Sequence, residues 1–232
     1  MRNIINLLKY NFGKYHLSKS IILYIIGLAI LVFNSIGIIT KVPMISQIIS
    51  FVNVGFVVTF LSINFIWSIF RFQSQISKEK GKLLFTFPIK SSEFIIAKIV
   101  EFIIIQGIVV FIAFLSSLFA KGDIMNLINI SSVAVMFGTI VAYIIIISYI
   151  TIFSPYINNK ALCILAIIIG GGTIQLIVQG VINIVTKFLP YVYMRIGYFI
   201  EIDVISLLLN FGWIAFITWL AMDYLEKKLD II

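Results

Sequence analysis

Six runs of this sequence are too long and too apolar for the interior of a water-soluble globule. They are Ser20–Thr40, Ile48–Phe70, Phe94–Ala120, Ile130–Phe153, Ala161–Thr186 and Val204–Met222. A helix rises about 1.5 Å per residue and the hydrocarbon core is about 30 Å thick, so roughly 20 residues cross it. Each run meets that length. Short stretches such as Ile144–Ile147 have strand-like composition. In lipid, however, every backbone polar group must be paired within its own segment, so helix is predicted throughout. Composition agrees, with 62% hydrophobic and 11% charged residues. A soluble domain is nearer half apolar and a quarter charged, so too little polar surface exists here to cover one. The expectation is a single-domain, all-α integral membrane protein: an N-terminal interfacial helix over residues 1–19 and six spans over 20–232.

The charges between the runs set an orientation. With the N-terminus inside, Arg2, Lys9, Lys14, Lys19, Arg71, Lys78, Lys80, Lys82, Lys90, Lys98, Lys160, Lys227 and Lys228 fall on one side. Lys41, Lys121, Lys187 and Arg195 fall on the other. That asymmetry places both termini and the 71–93 loop in the cytoplasm. Trp67, Trp219 and Tyr224 then lie near the inner interface, and Tyr191, Tyr193 and Tyr198 near the outer one, as aromatic belts do. The net charge of +8 is explained by an anionic inner leaflet rather than by nucleic acid, because the basic residues separate apolar spans.

Met1–Lys19 is amphipathic. Ile4, Ile5, Leu8, Phe12 and Tyr15 share one helical face, and Arg2, Asn6, Lys9 and Gly13 the other, which suits a helix lying in the membrane interface. A signal peptide fits less well. The apolar run that follows is too long for one, and Ser35-Ile36-Gly37 is a poor cleavage site. The external connection 187–203 is aromatic and aliphatic, broken by Pro190 and Gly197. It reads as a re-entrant segment or an interfacial aromatic loop.

Catalytic chemistry finds few residues to use. The single histidine, His16, lies in the interfacial segment, and no Cys/His cluster has the spacing of a metal site. Gly13-Lys14 and Gly81-Lys82 lack the hydroxyl residue that follows in a phosphate-binding loop. Gly170-Gly171-Gly172 within an apolar run suits close helix packing, and Cys163 suits a buried small side chain. The chain is therefore read as no enzyme, with no catalytic residue, metal or cofactor of its own. Polar residues do recur inside the spans. Gly172, Gln175, Gln179, Asn183 and Thr186 form one stripe, while Asn53 and Asn64 share a face that Arg71 and Gln75 continue inward. Such stripes avoid lipid, and they either line a path or subunit interface or bond neighbouring helices. Lys98 and Glu101 are placed to pair one turn apart.

The longest charged stretch is Ser77–Glu101. Leu83, Leu84 and Phe87 fall on one face of a short helix, and Pro88 ends it. Ser91 or Ser92 can cap the next helix, with Glu93 near its positive end. By physics alone this is either a docking helix or a basic loop obeying topology rules. The pattern Glu79-x-Gly81-x-Leu83-x-x-Thr86-x-Pro88-Ile89, with Ala97-Lys98 after it, resembles permease subunits of type-2 ATP-binding-cassette (ABC) transporters. Many members have a slightly longer run between the acid and the proline.

The resemblance implies a coupling segment built on Glu79, Gly81, Leu83, Leu84, Phe87 and Pro88. It also implies short re-entrant helices after the fifth span and a place in the cytoplasmic membrane of a bacterium. The partners implied are an ABC ATPase subunit, which holds ATP and Mg, a second permease forming a homo- or heterodimer, and membrane lipids. An uncharged, moderately polar path suits amphipathic cargo such as antimicrobial peptides, drugs or lipids. A non-transporting membrane scaffold or assembly protein is the alternative.

Overall fold

The computed structural model describes residues 2–12, 43–76, 90–118, 123–154, 156–157, 160–196 and 200–229. In chain order these form helices α1 (Arg2–Asn11), α2 (Pro43–Ile76), α3 (Ser91–Leu118), α4 (Asp123–Phe153) and α5 (Lys160–Ala166). A π-helical turn (Ile167–Gly171) leads into α6 (Gly172–Lys187). Strands β1 (Tyr193–Ile196) and β2 (Ile200–Asp203) precede α7 (Val204–Leu229). Four stretches among the described residues are long and apolar enough to cross a membrane: Ser91–Phe111, Val133–Phe153, Leu162–Lys187 and Val204–Lys227. The run Ile48–Phe70 lies within α2, a helix of 34 residues. The run Ser20–Thr40 lies outside the described residues.

Several hydroxyl groups in these helices are satisfied within the helix that carries them. Ser62, Ser148, Thr151, Thr173 and Thr218 each donate to the carbonyl four residues back, at 2.6–2.8 Å. An apolar helix can thus carry Ser or Thr without exposing an unpaired donor to hydrocarbon. The exterior is correspondingly apolar. Phe111, Val133 and Phe137 are exposed, as are Leu176, Ile177, Val181 and Ile184 along α6.

The chain divides into two compact units, Met1–Arg71 with Ser92–Tyr143 and Phe72–Ser91 with Ile144–Ile232. The first has a core of Val57, Phe60 and Leu61 from α2 with Val109 from α3, flanked by Val110 and Val135. Helix α1 belongs to this unit. Its Ile4, Leu7, Leu8 and Phe12 are half-buried, whereas Ile5 is exposed although it falls on the same apolar face in the sequence. Asn11 is buried instead.

In the second unit, α6 and α7 pack together, and the indole N–H of Trp213 donates to Gln175 Oε1 at 3.2 Å. The three glycines of the π-helical turn and its exit differ. A Cβ on Gly171 meets the ring of Tyr149 at 3.0–3.4 Å, while Gly170 and Gly172 face open space. Close packing, expected of the triplet, thus rests on its middle residue. Gln73 hydrogen bonds the thiol of Cys163, which is buried as its composition suggests.

The connection after α6 contains a pair of strands where the resemblance implied short re-entrant helices. Helix α6 closes at Phe188, whose N–H bonds Val185 O at 3.1 Å, and Pro190 prevents its continuation. The strands pair antiparallel in the register Tyr193↔Asp203, Met194↔Ile202, Arg195↔Glu201 and Ile196↔Ile200. Alternation of β-branched and acidic residues over Ile200–Asp203 favours a strand, and pairing with Tyr193–Ile196 satisfies the backbone groups of both. Asp203 then caps α7, accepting from the N–H groups of Ile205 and Ser206 at 3.0 and 3.3 Å.

Candidate functional site

The most concentrated polar chemistry among the described residues lies in the first unit, where α1, the end of α2 and the first turns of α3 meet. Glu101 of α3 is buried, and both carboxylate oxygens are engaged. Arg71 Nη1 donates to Oε1 at 2.6 Å, and Lys98 Nζ and Asn11 Nδ2 each donate to Oε2 at 2.9 Å. Arg71 Nη2 also donates to Asn11 Oδ1 at 3.2 Å, which closes a ring of three residues from three helices. The side chains of Lys98, Glu101 and Arg71 are 5%, 7% and 14% exposed. Lys98 Nζ also sits 6.0 Å above the Phe94 ring centroid, within cation–π reach.

Local sequence explains the arrangement. Lys98 and Glu101 are three residues apart on α3 and pair along one helical face, as their spacing predicts. A further contact between α1 and α3 is Asn3 Nδ2 to Glu93 Oε2 at 2.9 Å. Asn3 and Asn11 are eight residues apart, as are Glu93 and Glu101. Eight residues of helix rise about 12 Å, so α1 runs beside the first turns of α3 in the same direction. Next along α3, Phe102 stacks on Tyr143 of α4 with centroids 4.1 Å apart, and Phe65 of α2 meets Phe102 edge-on at 6.3 Å. One turn further, the fully buried Gln106 donates to Leu61 O and Thr139 Oγ1, both at 3.4 Å. Polar and aromatic contacts thus bind α2, α3 and α4 from the charged cluster toward the middle of the candidate span.

This cluster is suited to holding helices together. Two cations flank one carboxylate whose oxygens are both occupied by donors. The carboxylate thereby ties α1, α2 and α3 together at one point.

The residues singled out in the sequence fall as follows. Glu79, Gly81, Leu83, Leu84, Phe87 and Pro88 lie outside the described residues, as does His16. Asn53 falls in α2, but its side chain lies outside the description as well. Asn64 is half-buried in the first unit, and its buried Nδ2 has no hydrogen-bond partner among the described residues. In the second unit Gln175 is bound by Trp213, while Gln179 Nε2 bonds Asn183 Oδ1 of its own helix at 3.4 Å. Asn183 is exposed. The stripe therefore divides: Gln175 contributes to the α6–α7 contact and Asn183 does not. Sequence reasoning passed over Asn3, Asn11, Gln106 and Tyr143. The matching eight-residue spacings of Asn3/Asn11 and Glu93/Glu101 were a usable signal for the first two.

No protein-family model, curated protein or solved structure matches the chain.

Proposed function

We propose that the chain is the membrane-spanning permease subunit of an ATP-driven exporter of the type-2 ABC class. In this reading six spans cross the bacterial cytoplasmic membrane, with both termini and the 71–93 loop inside. A separate ATPase subunit binds ATP and Mg and docks on Ser77–Pro88, and a second permease completes the pathway. The cargo is amphipathic: a peptide, drug or lipid. The resemblance over Glu79–Ile89 motivates the assignment.

The observation that carries it furthest is the buried Arg71–Glu101–Lys98 cluster. Arg71 precedes Ser77 by six residues on the helix that leads into the segment, and Lys98 follows Pro88 by ten on the helix that leads out. A displacement of the segment is therefore delivered to two helices that are ion-paired to each other and bonded to α1. That coupling suits a subunit moved by an external motor.

The test is to replace Leu83 and Phe87 together by Ala. An apolar helix face ringed by charge is a docking surface whose anchors each contribute about 2 kcal/mol or more, roughly thirtyfold in affinity. The double variant should insert normally but lose ATPase co-purification and transport. Ala at Ile103 and Phe111 of α3, both exposed along its length, should leave docking intact. A chain that inserts but never recruits an ATPase is instead a membrane scaffold. The use of Gln106 and Gln175 in helix packing favours that second reading.

A further inference from the structure

We infer that the hairpin following α6 is a lipid-binding element, lying flat in the headgroup–acyl boundary of the leaflet where α6 and α7 emerge. It joins two helices of membrane-crossing length that pack together, so its base lies at a membrane face. The attachment is close. Val204 N–H donates to Val192 O at 3.0 Å, and Asp203 both ends β2 and caps α7. Phe188 comes immediately after Lys187 and is 85% exposed.

The exposure pattern selects lipid as the occupant. Tyr191 and Tyr193, two residues apart, have parallel stacked rings with centroids 5.9 Å apart. Val192 and Met194 alternate with them along the chain. All four are exposed, at 46–68%. Successive residues of an extended strand point to opposite sides, so the ribbon offers apolar surface on both. The ribbon joins two membrane-crossing stretches at their ends, so the medium that meets this apolar surface is the lipid boundary.

Size and chemistry agree. Four strand residues reach about 13 Å, while the interfacial zone on each side of the hydrocarbon is only about 5–8 Å deep, so an upright ribbon would project into water. Tyrosine favours this zone, with its ring against acyl chains and its hydroxyl among headgroups. The inference uses only the membrane-crossing part of the proposed function and holds whether or not an ATPase docks.

Site-directed fluorescence in reconstituted full-length protein tests it. In a Cys163→Ala background, single cysteines replacing Phe188, Tyr193 or Met194 carry an environment-sensitive dye in phosphatidylcholine–phosphatidylglycerol vesicles. Phe137, exposed on α4, is the lipid-facing reference and Lys90 the aqueous one. The Phe188 site lies outside both strands, so it reports even where a strand substitution disturbs pairing. The expected result is strong quenching by shallow nitroxide-labelled lipid, with iodide quenching several-fold below that at position 90. Iodide quenching equal to position 90 overturns the inference, as the hairpin then stands in water. Protection from both quenchers together with Met194→Cys cross-linking between copies also overturns it, assigning the ribbon to a subunit interface. Failure of lipid quenching at position 137 itself counts against membrane crossing, and so separates the two claims.

Discussion

Replacing Glu101 by Gln keeps the size and hydrogen-bonding shape of the side chain but removes the charge that Arg71 and Lys98 share. Both cations are then buried beside each other, at 14% and 5% side-chain exposure, without the carboxylate between them. Breaking a buried ion pair from one side costs about 3–5 kcal/mol, because the uncompensated charge stays desolvated. In a chain of this length each kcal/mol moves the melting temperature by about 2–4 °C, so a fall of roughly 6–20 °C is expected. Lys98→Met should cost less than half as much. Glu101 keeps Arg71 and Asn11, and removal of the ammonium relieves its desolvation. The double variant Glu101→Gln with Lys98→Met should recover part of the loss, because one of the stranded cations is gone. Thermal unfolding of the detergent-solubilised protein, followed by tryptophan fluorescence, measures all three. Equal losses in the two single variants, or simple additivity in the double, would refute the view that Glu101 is the hub of this cluster.

Four further outcomes can be measured. Gly171→Ala drives a methyl group into the Tyr149 ring and should destabilise by about 1–3 kcal/mol, whereas Gly172→Ala, facing open space, should be neutral or stabilising; the same unfolding assay compares them. Trp213→Phe should cost about 0.6 kcal/mol more in wild type than once Gln175 is Leu, a double-mutant cycle that isolates their bond. If the α6 stripe serves the pathway, Leu at Gln175, Gln179 and Asn183 together should lower transport while insertion improves; unimpaired export leaves packing as its role. Impermeant thiol reagents applied from outside should label cysteine at position 121 or 195 but not at 80; the reverse pattern would invert the topology.

What the sequence reveals depends on how local each interaction is. The Lys98–Glu101 pair is legible because both partners lie on one helix, three residues apart. That Arg71 completes it depends on how α2 meets α3, which no spacing within either helix states. The apolar periodicity of residues 2–12 announces an amphipathic helix, but Ile5 lies outside and Asn11 inside because Glu101 and Arg71 reward a buried carboxamide there. The hairpin carried a period-two signal over Ile200–Asp203. Reading the chain for spans set that signal aside, since an unpaired strand is forbidden in lipid while a paired ribbon at its edge is not. Among Gly170, Gly171 and Gly172, only Tyr149 on another helix distinguishes the middle one. The Gln175–Asn183 stripe is regular as sequence, yet its members part company because only Gln175 lies where Trp213 can reach it.

The central claim, that Ser77–Pro88 receives an ATPase, is tested most directly by a photo-reactive amino acid placed at Leu83 in cells expressing the full chain. Irradiation is predicted to join the chain to a polypeptide carrying a phosphate-binding loop, identified by mass spectrometry, and Phe87→Ala should abolish that product. The same probe at Ile103 should give none. If the correctly inserted chain cross-links from Leu83 only to lipid or to a second copy of itself, no motor docks there and the transporter assignment is contradicted.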